Sequence, residues 1–157
     1  MQQLLPGLWT LRGLGVGRVY ALADGDDITL IDGSIPSAGP KIIAQLERAG
    51  FAAHRVRRIL VTHCHGDHLG ALPYLKRVTN AEIFVPEGER DTAEGRAPFG
   101  YPDLATLPLH LRLMQRSGPT SFEGVAVAGT LKEGDTIPNA HGELTVLSVP
   151  GHSRGHL

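Results

Sequence analysis

The stretch LVTHCHGDHLG, Leu60 to Gly70, crowds His63, His65, Asp67 and His68 into one turn of chain directly after an apolar run. Neutral imidazole is a ligand for zinc, copper, iron or nickel, and a neighbouring carboxylate adds a harder, negative donor. His63 and His65 are two positions apart, so in extended backbone both rings project to the same side. Gly66 permits a sharp turn, after which Asp67 and His68 can face the same cavity from another direction. The bland alternative is a polar surface patch in which Asp67 caps a helix. Three of the chain's 8 histidines beside one aspartate, at the end of a buried strand, favour a metal site instead.

A catalytic zinc site usually has three protein ligands and a position left for water. His63 and His65 supply two, so the third should come from a distant loop. SVPGHSRGHL, Ser148 to Leu157, offers His152 after another apolar strand, with Gly151 allowing a tight turn. His156 can face the same cavity or hold the loop, and is read here as structural. His54, His110 and His141 lie in polar or irregular stretches and are assigned no chemistry.

These side chains need a rigid frame. LWTLR (Leu8 to Arg12), RVYALA (Arg18 to Ala23) and ITLID (Ile28 to Asp32) read as strands of an antiparallel meander, with a turn at Asp24 to Asp27. The last is nearly continuous in apolar residues, as expected of a central strand covered on both faces. Ile42, Ile43, Leu46 and Ala49 recur at helical spacing before a stop at Gly50. RRILVT (Arg57 to Thr62) is a second buried strand, ALPYLKRV a short helix beginning near Pro73, and EIFVP (Glu82 to Pro86) a third strand. Strand, helix, strand, helix, strand predicts an α/β layered fold. From Glu87 to Gly124 the signal weakens to a loop or frayed helix, and LATLPLHLRLM stays between helix and strand. A turn at Gly134-Asp135 and a strand over Leu144 to Val149 close the chain, which is read as one domain, residues 1–157.

Composition narrows the function classes. Apolar residues make up 41%, charged residues 20%, and the net charge is -1, so no electrostatic footprint for nucleic acid or an acidic membrane stands out. The one basic cluster, His54 to Arg58, reads as a solvated rim. No apolar run has the length of a membrane span. The N-terminus lacks a basic segment followed by a long apolar core, so no secretory leader is expected. The single cysteine, Cys64, excludes an internal disulfide and fits a reducing cytoplasm.

Asp32-Gly33 after an apolar strand, His-x-His-x-Asp-His at His63 to His68, and Pro-Gly-His at Pro150 to His152 together resemble the metallo-β-lactamase superfamily, and within it the glyoxalase II-like and lactonase-like hydrolases. The resemblance implies an αββα sandwich with one or two zinc ions at the sheet edge, iron or manganese being the alternatives. His63, His65 and His152 would hold the first ion, and Asp67 and His68 would serve the second. Asp32 would accept hydrogen bonds that fix the ligand loop. Cys64 would point away from the metal as a buried, inert thiol. The implied reaction is hydrolysis of an ester, thioester, lactone or amide in a small-molecule substrate by a zinc-activated water, with Asp67 orienting that water.

Family members continue beyond the Pro-Gly-His loop with a metal-bridging aspartate and a late histidine. The chain is therefore expected to represent the N-terminal half to two-thirds of such a hydrolase, with weak second-metal occupancy. Apolar sheet surface bared by the missing part would favour a homodimer. Two rival readings stand beside the hydrolase: a non-catalytic metal-binding module, and an iron-dependent relative that oxidises sulfur compounds.

Overall fold

The structure, a computed structural model, describes residues 1–99, 108–109 and 122–157. Its frame is a seven-stranded mixed sheet in simple sequence order. β1 (Gln2–Leu5), β2 (Leu8–Thr10), β3 (Tyr20–Asp24) and β4 (Asp27–Ile31) form the antiparallel meander. β5 (Val56–Leu60), β6 (Glu82–Pro86) and β7 (Gly129–Leu131) then add in parallel. The predicted strands at Leu8, Arg18, Ile28, Arg57 and Glu82 are all present, shifted by up to two residues at their ends. β1 was not anticipated, because Gln2 to Leu5 is exposed throughout and shows no burial pattern to read.

Parallel strands need crossovers, and helices supply them. α1 (Gly39–Arg48) links β4 to β5 and buries Ile42, Ile43 and Leu46. α3 (Leu72–Thr79) links β5 to β6 and buries Leu72, Leu75 and Thr79, with Pro73 in its first turn and Asn80 in the left-handed conformation at its end. Both helices lie on one face, where Ile28, Leu30, Ile59 and Ile83 join them in a single core. Each such fully buried side chain contributes about 1.5–3 kcal/mol. Successive strand residues alternate in direction, so Leu60 and Phe84 point to the opposite face. There they meet Leu131, Val146 and a hairpin of β8 (Thr136–Asn139) and β9 (Gly142–Thr145).

The strand expected over Leu144 to Val149 is corrected by this hairpin. Only Leu144 and Thr145 belong to a strand, and Leu147 and Val149 are exposed. The run has apolar residues but no partner strand, and the chain leaves the ladder to carry His152 towards the sheet edge. The weak region resolves at its start into a short turn of helix, α4 (Arg90–Ala93), preceded by a 3-10 turn at Glu87–Glu89. LATLPLHLRLM lies outside the described residues except for Pro108 and Leu109. The basic rim behaves as read: Arg55, Arg57 and Arg58 face Asp24, Asp26 and Asp27 of the β3–β4 turn.

Candidate metal centre

Across the parallel strands Ile31 pairs with Leu60 and Leu60 with Phe84. The carboxyl ends of β4, β5 and β6 therefore finish side by side, the edge where open α/β sheets build their sites. Asp32 follows β4, Thr62 to His68 follow β5, and Glu89 follows β6.

Asp32 sits at a φ of 65°, a left-handed conformation that aspartate tolerates better than most residues. The kink turns its carboxylate towards the neighbouring loop. Oδ1 accepts from the Thr62 backbone N–H at 2.8 Å, and Oδ2 accepts from the Thr62 hydroxyl at 2.8 Å. Oδ2 also lies 2.8 Å from Nδ1 of His68, so that nitrogen carries a proton and Nε2 is turned away from Asp32. Burial opposes charge on His68, but the hydrogen bond and the charge of Asp32 outweigh it and raise the pKa of the imidazole. The Gly33 N–H donates to the His68 carbonyl at 2.8 Å, closing the two loops on each other.

His63 and His65 are buried, at 2% and 4% exposure. Burial first, and then the surrounding imidazoles, push the His63 pKa down to about 2, which keeps the ring neutral. His63 Nε2 is buried and has no hydrogen-bond partner among the described residues. His65 Nδ1 lies 3.1 Å from Nε2 of His152. Two ligands at tetrahedral angles on a metal about 2.0–2.1 Å away would be separated by roughly 3.3 Å. One donor atom from each of His63, His65 and His152 falls within 4.8 Å of the others. A buried nitrogen lacking a partner, beside two ring nitrogens facing each other, is the donor set a cation needs.

The remaining residues take their places around this group. Asp67 opens the one-turn helix α2 (Gly66–Leu69), and its carboxylate lies 3.5 Å from His68 Nε2. The His156 backbone carbonyl accepts from the Val149 N–H at 2.8 Å, while its ring faces the cluster, with its centroid 4.5 Å from that of His63 and the two planes tilted by 52°. The Cys64 thiol is buried and its pKa is pushed up by that burial and then by Glu89. His54 and His141 sit elsewhere, and His110 is outside the described residues. Sequence reasoning missed Glu89, which binds backbone and side-chain donors of both histidine loops. A glutamate in a polar stretch carries no local signal. A cavity of about 260 Å³ opens beside His65, between Glu89, Thr92, Ser153 and Arg154.

The chain is similar to known proteins over most of its length. A "Hydroxyacylglutathione hydrolase" of Rhodopseudomonas palustris (strain BisB18) is 37% identical over 138 residues, 88% of this chain and 40% of that relative. The "Probable metallo-hydrolase YybB" of Bacillus subtilis (strain 168) is 30% identical over 141 residues, 89% of this chain and 54% of its own length. Among solved structures, the subclass B3 metallo-beta-lactamase BJP-1 of Bradyrhizobium japonicum superposes with a TM-score of 0.77 at 27% identity. That match covers 98% of this chain and 53% of BJP-1. The chain spans about half, or less, of the curated relatives it matches. Residues 12–157 match the Metallo-beta-lactamase superfamily profile. On that match, which takes in nearly all of the sequence, the chain belongs to the metallo-beta-lactamase superfamily.

Proposed function

We propose that this chain carries the metal centre of a hydrolase that cleaves an ester, thioester, lactone or amide in a small molecule. The observation that supports it most is the approach of His65 Nδ1 to His152 Nε2 at 3.1 Å, beside the buried, unpartnered Nε2 of His63. Zinc is the proposed metal, since an all-imidazole set with an open position suits it. When bound, such an ion supplies Lewis acidity, which makes water a competent nucleophile near neutral pH and polarises the carbonyl under attack. His63, His65 and His152 would hold it. Asp67, with its side chain 38% exposed, would orient the attacking water and, with His68, offer donors to a second ion. Asp32 would keep His68 in the tautomer that leaves Nε2 free to bind.

The setting of the chemistry is consistent with this. A net charge of -1 gives no attraction for nucleic acid. Among the described residues no helix is long and apolar enough to cross a membrane. One free, buried cysteine fits the cytoplasm. Leu147 and Val149, 60% and 51% exposed, are apolar side chains that an association of two copies would cover.

The test is a panel of thioesters, lactones and esters assayed with the zinc-loaded chain while its metal content is measured. Turnover that disappears in the His63→Ala/His65→Ala variant supports the hydrolase. Turnover that survives in that variant ends it. Bound zinc with no turnover on any panel member favours a metal-binding module, and iron in the isolated protein favours the oxidative relative.

A further inference from the structure

Glu89 has no part in the chemistry described above, yet it touches both loops that carry the histidines. It stands just past the carboxyl end of β6. Its Oε2 accepts the Cys64 backbone N–H at 2.5 Å, and Cys64 lies between His63 and His65. Its Oε1 accepts the Ser153 hydroxyl at 2.6 Å and the Gly155 N–H at 2.9 Å, one and three residues after His152. A Cβ on Gly155 would come within 2.8 Å of Glu89 Cγ and would push the Glu89 side chain out of its present place.

The two loops are unequal in what else restrains them. His63 and His65 follow a central strand and are buried, whereas His152 is exposed in a stretch, residues 146–157, with no helix or strand. Besides the carboxylate clasp, the Leu157 N–H donates to the Thr62 carbonyl at 3.0 Å. Burial opposes the charge on Glu89, but hydrogen bonds from Ser153, Cys64 and Gly155 lower its pKa, so the clasp is an anion at neutral pH. Charge-assisted hydrogen bonds of this kind are about twice as strong as neutral ones. Resting on the metal-centre reading, we propose that Glu89 is a positioning residue that holds His152 within reach of the ion bound by His63 and His65.

The test measures zinc affinity of the 157-residue chain by chelator competition, together with the visible absorption of the cobalt(II)-substituted protein. Glu89→Ala is expected to weaken zinc about 10- to 100-fold, the range for losing a group that orients a ligand. Its cobalt spectrum should resemble that of His152→Ala, with Glu89→Gln, which keeps an acceptor but no charge, falling between. In a His152→Ala background Glu89→Ala should cost little more, because the two changes act through one ligand. Unchanged zinc affinity and spectrum in Glu89→Ala, or an equal loss with and without His152, overturns the proposal and leaves the metal centre standing. Failure of the unaltered chain to bind zinc overturns both. Should Glu89→Ala not fold by circular dichroism, Ser153→Ala removes one donor to the same carboxylate. Weaker zinc there supports the clasp, and unchanged affinity overturns it.

Discussion

His65 Nδ1 and His152 Nε2 lie 3.1 Å apart although 87 residues separate them in the chain. That spacing suits two donors to one bound cation, and measurable consequences follow from the arrangement and from its supports.

Metal removal should destabilise the protein. A ligand that binds only the folded state at a hundred times its Kd stabilises by about 2.7 kcal/mol. For a chain of this size that corresponds to roughly 5–10 °C in Tm. Differential scanning calorimetry with zinc and then with a chelator is expected to show that difference, and His152→Ala should abolish most of it. Identical Tm values in zinc and chelator would count against the site.

Asp32 serves three donors from two residues, Thr62 N–H, Thr62 hydroxyl and His68 Nδ1. Asp32→Ala strands those donors and also places alanine at a φ of 65°. The expected cost is about 2–3 kcal/mol in urea unfolding of the metal-free protein. Asp32→Asn tolerates the backbone and keeps one acceptor, so it should lose less.

Gly17 holds a φ of 73°, and a Cβ there would stand 2.1 Å from the Asp67 carbonyl oxygen. Gly17→Ala must therefore displace the turn that carries Asp67 or distort its own loop. A loss of about 1–3 kcal/mol is expected by thermal or chemical unfolding. Gly25→Ala, also at positive φ but with open space around it, should cost less because only the backbone is strained.

The Glu89 carboxyl is held below its ordinary value of 4.5 in the folded chain. A depressed acid contributes stability that is present above the unfolded value and is lost as pH falls through the folded one. Metal-free protein should therefore lose stability more steeply below pH 4.5 than Glu89→Gln does. Parallel acid-unfolding curves for the two proteins would remove this contribution.

Cys64 is 2% exposed and its thiol is pushed up by burial and by Glu89. Thiolate, not thiol, is the reactive form. A colorimetric thiol reagent should leave the native protein unmodified and titrate one cysteine after denaturation. Rapid labelling of the native chain would contradict the burial.

Much of this architecture was legible in residue order. Alternating and continuous apolar runs marked β2 to β6, and the 3.6-residue spacing of Ile42, Ile43 and Leu46 marked α1. The run at Leu144 to Val149 misled, because an apolar pattern reports burial potential and not whether a partner strand exists. β1 was silent for the converse reason: its pairing with β2 comes from backbone hydrogen bonds, while its side chains face solvent.

The same division runs through the site. Residue type and local spacing alone determined that His63, His65, Asp67 and His68 share one turn at a strand end, since ligands close in sequence must be close in space. Asp-Gly, His-x-His-x-Asp-His and Pro-Gly-His, read in order, also carried the family. His152 was named from its place after an apolar run, but only the tertiary structure brought it beside His63 and His65 and added further distant groups around them. The fold turned the His156 ring towards His63 and set Glu89 across both loops. Those contacts depend on where the ends of β4, β5 and β6 come to rest, and that is governed by packing of the whole sheet, which no short stretch of chain encodes.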